Sequence, residues 1–490
     1  MTPARRARGA VAVLVVVGVL AACTSTVQGH GVPGSAVSTP APSGPSTSGP
    51  PSSPASSAST SSDPAGCPST YAAPDPNRPR VKLVFDISGD HSTVRGQETI
   101  DFRPDLPITE LVFRLTANTI PTVQEGNKIV VTSASADHGG TTHRFTAANA
   151  DPSTQGGLLH IPFGRTISVG TSVTAKINFT VTLGVNSFDR FGRAGRFAYF
   201  GSAQPLLAWQ RGFGWHTEDM INFPAESATS EAMDTDLTVV APTADTVIMS
   251  GDPADPPGSG STRTWHSTIS AARDVSVAAG PFSVTDRTVQ GVKLRLGAAS
   301  VAERDALVPE FVRAITELSK RFGPYPFPSL SVARLPVEGG GIEYPSSILM
   351  LNGSRLVAVH ETAHQWFYAM VGDSQALHPW LDEAFAQYAE ELVNHDAPND
   401  NAINAPGAVD ASTESYGQDV NGYYFTTYNK GAAALLAARQ AAGPARWDRA
   451  LRCYVAANAW RIAVPADFAA AIKRLPAGVA VLRRAGALKP

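Results

Sequence analysis

Charge and cysteine are the scarcest features of this sequence. Only 17% of its 490 residues are charged, and 39 basic against 42 acidic side chains leave a net charge of −3. No basic excess exists to neutralise a phosphate backbone, which excludes a broadly cationic nucleic-acid binder. No nucleic-acid partner is therefore expected. Three cysteines exclude a small disulfide-stapled scaffold and a cysteine-rich zinc array. Beyond the N-terminus no apolar run approaches the roughly 18 residues of a membrane-spanning helix, and no internal repeat points to a solenoid. What is present is 43% hydrophobic residues, together with 42 Gly and 38 Pro. The length calls for roughly two or three domains, and the Pro and Gly content implies that part of the chain is not globular.

The N-terminus reads as an address. Arg5, Arg6 and Arg8 precede Gly9 to Ala22, an almost wholly apolar stretch of 14 residues. That is short for a permanent membrane span and suits the core of a signal peptide. Leu20-Ala21-Ala22-Cys23 closes it and resembles the lipobox of bacterial lipoproteins. The resemblance implies lipidation of Cys23, a membrane partner through that anchor, and placement on the outer face of the cytoplasmic membrane. Cleavage after Ala22 with Cys23 as a bystander is the alternative. Either cleavage removes three arginines and carries the net charge from −3 to −6. From Thr24 to Ala73 the chain is Ser, Thr, Pro, Gly and Ala with Asp63 as its one charged residue, a composition expected to stay disordered and act as a tether. An extracytoplasmic compartment permits Cys67 and Cys453 to pair, although two unpaired thiols are the favoured expectation.

From Val81 to Thr285 the pattern is period-2. Val81, Leu83, Phe85 and Ile87 alternate, as do Ile177, Phe179, Val181 and Leu183. Frequent strands without long helical periods predict an antiparallel β saddle or sandwich. The pattern then becomes helical. Leu307, Phe311, Ile315, Leu318 and Phe322 recur at three or four residues, predicting a helix over 301–322. Further helices are expected over 355–370, 381–395, 428–441 and 465–475, with short strands over 329–335 and 348–351. The expected division is 1–22 signal peptide, 23–75 tether, 76–286 β-rich domain and 287–490 mainly α domain.

Within the 355–370 helix lies His360-Glu361-Thr362-Ala363-His364. Spacing of i and i+4 puts both imidazoles on one face, able to reach one metal ion, with Glu361 beside that face as a general base. The alternative is an exposed charged helix segment. Eighteen residues after His364 comes Glu383, within Trp380-Leu381-Asp382-Glu383-Ala384-Phe385-Ala386. That separation allows a second helix to return with a carboxylate facing the histidines. Two His and one Glu leave a fourth position open, the arrangement of a catalytic zinc.

These residues resemble the aminopeptidase N family of gluzincin zinc metallopeptidases. The resemblance implies an α+β multidomain fold, a β saddle followed by a thermolysin-like, mainly α catalytic domain. It also implies one Zn2+ on His360, His364 and Glu383, and peptide substrates. Three further segments carry it. Gly339-Gly340-Gly341-Ile342-Glu343-Tyr344-Pro345 resembles the family's GxMEN segment, so Glu343 is expected to bind the substrate's free amine. Gly340 and Gly341 would let a substrate backbone approach the edge strand. Tyr428-Asn429-Lys430-Gly431-Ala432 resembles YEKGA, which makes Tyr428 the donor to the oxyanion. Gly201-Ser202-Ala203-Gln204-Pro205 resembles the segment whose Gln contacts substrate, which selects Gln204. For the first two, a Gly-rich turn with a solvated Glu and a core tyrosine at a helix start are the alternatives.

Glu390 lies two turns along the helix from Glu383, positioned to hydrogen-bond a ligand histidine or to stay solvated. His378 and the histidines of the β region are expected to be structural. Ile342, Tyr344, Asp382 and Asn429 depart from the family pattern without removing a ligand. Only sixty-two residues follow Tyr428, so the large C-terminal helical domain of many relatives is expected to be missing and the cleft to be more open. The alternatives to an aminopeptidase are a metalloendopeptidase with an open cleft, and a non-catalytic binding lipoprotein with a relic metal site.

Overall fold

The computed structural model describes residues 67–489 except 69, 188, 226–228, 259 and 396–400. The expected signal peptide, Cys23, and the tether up to residue 66 lie outside the described residues.

The β region forms three main sheets. The largest runs, edge to edge, through Thr262–Ala272, Met233–Pro242, Arg80–Ile87, Thr93–Phe102, Val173–Thr182 and Lys128–Ala136. Alternation does what the sequence expects: Val81, Leu83, Phe85 and Ile87 are buried along the first of these strands. The expectation of a wholly antiparallel sheet fails at one pairing. Arg80–Ile87 lies parallel to Met233–Pro242, with Leu83 opposite Leu237. The chain runs through strands of the other sheets before returning beside its first strand, and such a long connection permits the parallel direction.

A five-stranded sheet opens the catalytic half, ordered Ser283–Val289, Val292–Ala298, Ser329–Arg334, Ser347–Met350 and Gly341–Tyr344. Its first strand spans residue 286, where the composition shifts. Gly341–Tyr344 is an edge strand, antiparallel to its neighbour, with Glu343 opposite Ile348. The Val301–Phe322 helix starts on a cap in which the Ser300 side chain accepts from the Glu303 backbone amide, and it ends at Gly323 with φ 109°. Leu307, Phe311, Ile315, Leu318 and Phe322 are its buried stripe.

The helical half departs from expectation in three places. The helix at Arg355 ends at Ala363 rather than Met370. Residues after it turn back, with the amides of Ala369 and Val371 bonding to the carbonyls of His364 and Trp366. Tyr368 sits at φ 106°, a conformation costing a bulky residue about 1–3 kcal/mol. The buried guanidinium of Arg273 holds it there: Nε donates to the Tyr368 carbonyl at 2.8 Å and Nη2 to that of Met370 at 3.3 Å. The expected 428–441 helix begins in a π-helical turn, Phe425–Lys430, and becomes α only at Gly431–Ala442. Helices Pro444–Asn458 and Pro476–Arg484 were not anticipated. Each starts with Pro in its first turn, a start signal that reads as a breaker in an Ala- and Arg-rich context.

Cys67 and Cys453 are paired, their Cα atoms 5.0 Å apart, which corrects the expectation of two unpaired thiols. The adjoining residues explain the approach. The Ala72 amide bonds to the Ala456 carbonyl at 2.8 Å, and the Tyr71 hydroxyl donates to the Pro324 carbonyl while accepting from Trp366 Nε1. The end of the tether is thereby laid along the Pro444–Asn458 helix, beside Cys453.

Candidate metal centre

His360 and His364 lie at the end of the Arg355–Ala363 helix, whose start is capped by Ser354 accepting from the Leu356 amide at 3.1 Å. The helix breaks immediately after the motif, yet the His364 amide still bonds to the His360 carbonyl at 3.3 Å. The one-turn separation of the two imidazoles therefore survives. Glu383 begins the next long helix, Glu383–Asn394, so its carboxylate projects from a helix start. Glu383 Oε2 stands 3.3 Å from His360 Nε2 and 3.5 Å from His364 Nε2.

Each histidine has a second carboxylate behind it. His364 Nδ1 faces Asp382 Oδ1 at 2.5 Å, and the other oxygen of Asp382 accepts from Gln375 Nε2 at 3.1 Å. His360 Nδ1 faces Glu390 Oε2 at 3.3 Å. These acceptors fix the two ring orientations from the Nδ1 side, so that both Nε2 atoms face Glu383 and would be the metal-binding atoms. Burial pulls the His360 pKa down, but the Glu383 and Glu390 carboxylates outweigh it and raise it to about 9. The His364 pKa is likewise raised, against burial, mainly by Asp382 and Glu343. The two imidazoles draw the Glu383 carboxyl well below its usual range in spite of its burial. Two imidazole nitrogens and one carboxylate oxygen, all within 4.8 Å of one another, suit Zn2+ and leave room for further ligands.

The other expected residues are distributed as follows. Glu361 is buried on the same helix. A Cβ on Gly341 would fall 2.4 Å from Glu361 Cγ and 2.5 Å from its Cδ; glycine is required there because the carboxylate occupies the side-chain space. Gly340 has nothing within 4 Å of such a Cβ, leaving that stretch of backbone open. Glu343 is buried on the edge strand and brings a carboxylate oxygen within 4.8 Å of His364 and Asp382.

Tyr428 lies in the π-helical turn, its ring stacked on His360 at 6.0 Å between centroids and 6° between planes. Burial and the neighbouring Glu383 push its phenol pKa well above the ordinary value. Lys430 anchors that turn, its ammonium donating to the Ala405 carbonyl at 2.6 Å and to that of Gly407. Gln204 is buried, with no hydrogen-bond partner for Oε1 among the described residues. No hydrogen bond among the described residues joins it to the histidines. Its loop nevertheless reaches the edge strand, because a Cβ on Gly201 would fall 2.0 Å from the Tyr344 ring.

Sequence reasoning attached no role to Asp382, although an acid directly beside the expected Glu383 was the available signal. It also passed over Gln375 and Arg273, which carry no motif. His378 binds Asp410 at 2.7 Å, and His91 binds Asp245 at 2.7 Å; both are structural, as expected.

Comparisons with known proteins accord with this geometry. Residues 345–483 match the peptidase family M1 domain, a span that includes His360, Glu361, His364, Glu383 and Tyr428 but not Glu343 or Gln204. An M1 zinc metallopeptidase from Deinococcus radiodurans has a similar fold, with a TM-score of 0.61 and 20% identity over 83% of this chain and 92% of that one. A mutant of that M1 zinc metallopeptidase bound to the substrate Tyr-Ser-Ala is similar at a TM-score of 0.62 and 19% identity, over 84% of this chain and 96% of that one. No curated protein matches the sequence. Residues 345–483 thus match a peptidase family M1 domain, and they sit on the β-then-helical fold shared with the two-domain M1 zinc metallopeptidases.

Proposed function

We propose that this protein is a zinc-dependent aminopeptidase that removes N-terminal residues from peptides outside the cytoplasmic membrane, held there by a lipid on Cys23. The observation that carries the reading is the convergence of Glu343 with the His360, His364 and Glu383 cluster. A buried carboxylate on an edge strand, within 4.8 Å of a ligand histidine, is placed to neutralise a substrate ammonium next to the bond to be cut. The substrate Tyr-Ser-Ala of the similar Deinococcus radiodurans enzyme supports a peptide substrate. The Leu20-Ala21-Ala22-Cys23 sequence and the Cys67–Cys453 disulfide support an oxidising, extracytoplasmic compartment.

A zinc ion on His360, His364 and Glu383 would polarise the scissile carbonyl and acidify a water molecule. Glu361, buried beside the ligands, takes the proton of the attacking water and delivers it to the departing amine. Tyr428 stays protonated because burial and Glu383 hold its pKa up, so it can donate a hydrogen bond to the oxyanion. Glu343 anchors the ammonium and so registers the first peptide bond. Gly340 keeps the strand edge clear for the substrate backbone, and Gly341 leaves the Glu361 carboxylate its room beside that edge.

The test compares peptides with a free and an N-acetylated terminus, with and without chelator. Chelator-sensitive cleavage of the free peptide only is expected. Equal cleavage of both would replace the aminopeptidase with an endopeptidase, and absence of zinc and turnover would leave a binding lipoprotein.

A further inference from the structure

Arg273 belongs to the β region, between strands Thr262–Ala272 and Ser276–Gly280, and is 3% exposed. Its guanidinium bonds to four backbone carbonyls: Tyr368 at 2.8 Å, Ser230 at 2.9 Å, Arg461 at 2.7 Å and Met370 at 3.3 Å. Only a planar fork of several N–H donors can satisfy so many acceptors at once. The site is built tightly around it, because a Cβ on Gly372 would fall 2.1 Å from its Cζ. Tyr368 is tied to the same domain a second way, its hydroxyl donating to Asp274 at 2.7 Å.

The segment that Arg273 grips is joined to the metal ligand at both ends. At one end the Phe367 carbonyl faces His364 Nδ1 at 3.3 Å. At the other, Gln375 donates to Asp382, the carboxylate that faces that same Nδ1. Between them Tyr368 holds a backbone conformation that a tyrosine rarely adopts, with φ 106°. Released from Arg273, the strap would lose the bonds that hold Tyr368 in this conformation, and with them the placement of the Phe367 carbonyl against the imidazole.

We propose that Arg273 is a positioning residue for the metal ligand His364, acting from the β domain through the 367–375 strap. The β domain then contributes to metal binding. The inference rests on the zinc reading of the His360, His364 and Glu383 cluster.

The test uses the full chain with Arg273→Met, which keeps length and apolar stem but removes the donors, and Arg273→Lys, which keeps charge but lacks the planar fork. Zinc affinity is measured by chelator competition, ligand geometry by the visible spectrum of the Co2+-substituted protein, and kcat and KM on a free-terminus peptide. Both variants are expected to bind zinc about 10- to 100-fold more weakly, to shift the cobalt spectrum and to lose kcat, with KM within about twofold of wild type. A folded Arg273→Met protein with a lower Tm but wild-type zinc affinity and cobalt spectrum would show a purely structural residue and overturn the proposal. Should Arg273→Met not fold, Gly372→Ala, which displaces the guanidinium, is read by the same three measurements with the same expected and contrary results. A wild-type protein that takes up no zinc defeats the zinc reading and this inference together. Wild-type zinc binding with unaltered variants defeats this inference alone.

Discussion

His360 and His364 of the candidate metal cluster stand one helical turn apart in unequal surroundings. The His364 side chain is 1% exposed and its carboxylate partner Asp382 is wholly buried. Behind that pair lie Gln375, the Phe367 carbonyl and the strap pinned by Arg273. The His360 side chain is 11% exposed, as is that of Glu390, and its ring stacks on Tyr428. The contrast separates two tasks. The interior flank is over-determined by hydrogen bonds and suits holding a metal, whereas the open flank carries Tyr428, placed to donate to an oxyanion.

Substitutions on the two flanks should therefore fail differently. The largest effect is expected on the open flank: Tyr428→Phe should lower kcat by about 10²- to 10³-fold, with zinc affinity unchanged. A matching loss of zinc would dissolve the distinction. Next in size, Asp382→Asn should weaken zinc binding by about 10-fold or more, while Glu390→Gln, at a longer and less buried contact, should weaken it by less than about 10-fold. Equal losses in chelator competition would show that the flanks do not differ.

The smallest effect concerns pH. Burial, opposed by hydrogen bonds from Ser202 and Tyr368, raises the Asp274 pKa to about 6. The folded state thus binds this proton more tightly than the unfolded chain does, so wild-type stability falls as pH climbs from about 4 through 6. Asp274→Asn keeps acceptor capacity without that titration. Relative to wild type it should gain on the order of 1–3 kcal/mol between pH 4.5 and 8 in denaturant unfolding; a parallel pH profile for both proteins would refute the assignment.

The order of the fold was legible because burial along strands of the six-stranded sheet alternates, as in Arg80–Ile87, and because the Val301–Phe322 stripe keeps helical spacing. The cluster was legible for a local reason. The His360–His364 spacing is a property of one helical turn, and the 18 residues before Glu383 need only a helix end, a turn and a helix start. What escaped depends on distant residues. The chain that turns back after Ala363 is held by Arg273, far upstream, through the carbonyls of Tyr368 and Met370. The π-helical turn at Tyr428 depends on Lys430 reaching the carbonyls of Ala405 and Gly407. The pairing of Cys67 with Cys453 depends on where the segment around Tyr71 docks, and composition holds no trace of that.

The central claim is that a zinc-binding cluster and a separate proton-transferring carboxylate share one short helix. Glu361→Gln tests it most directly, with zinc content and turnover of a free-terminus peptide measured on the same sample. One zinc bound as in the wild type is expected, with turnover lower by about 10²- to 10⁴-fold. Retained turnover in the zinc-loaded variant would contradict it.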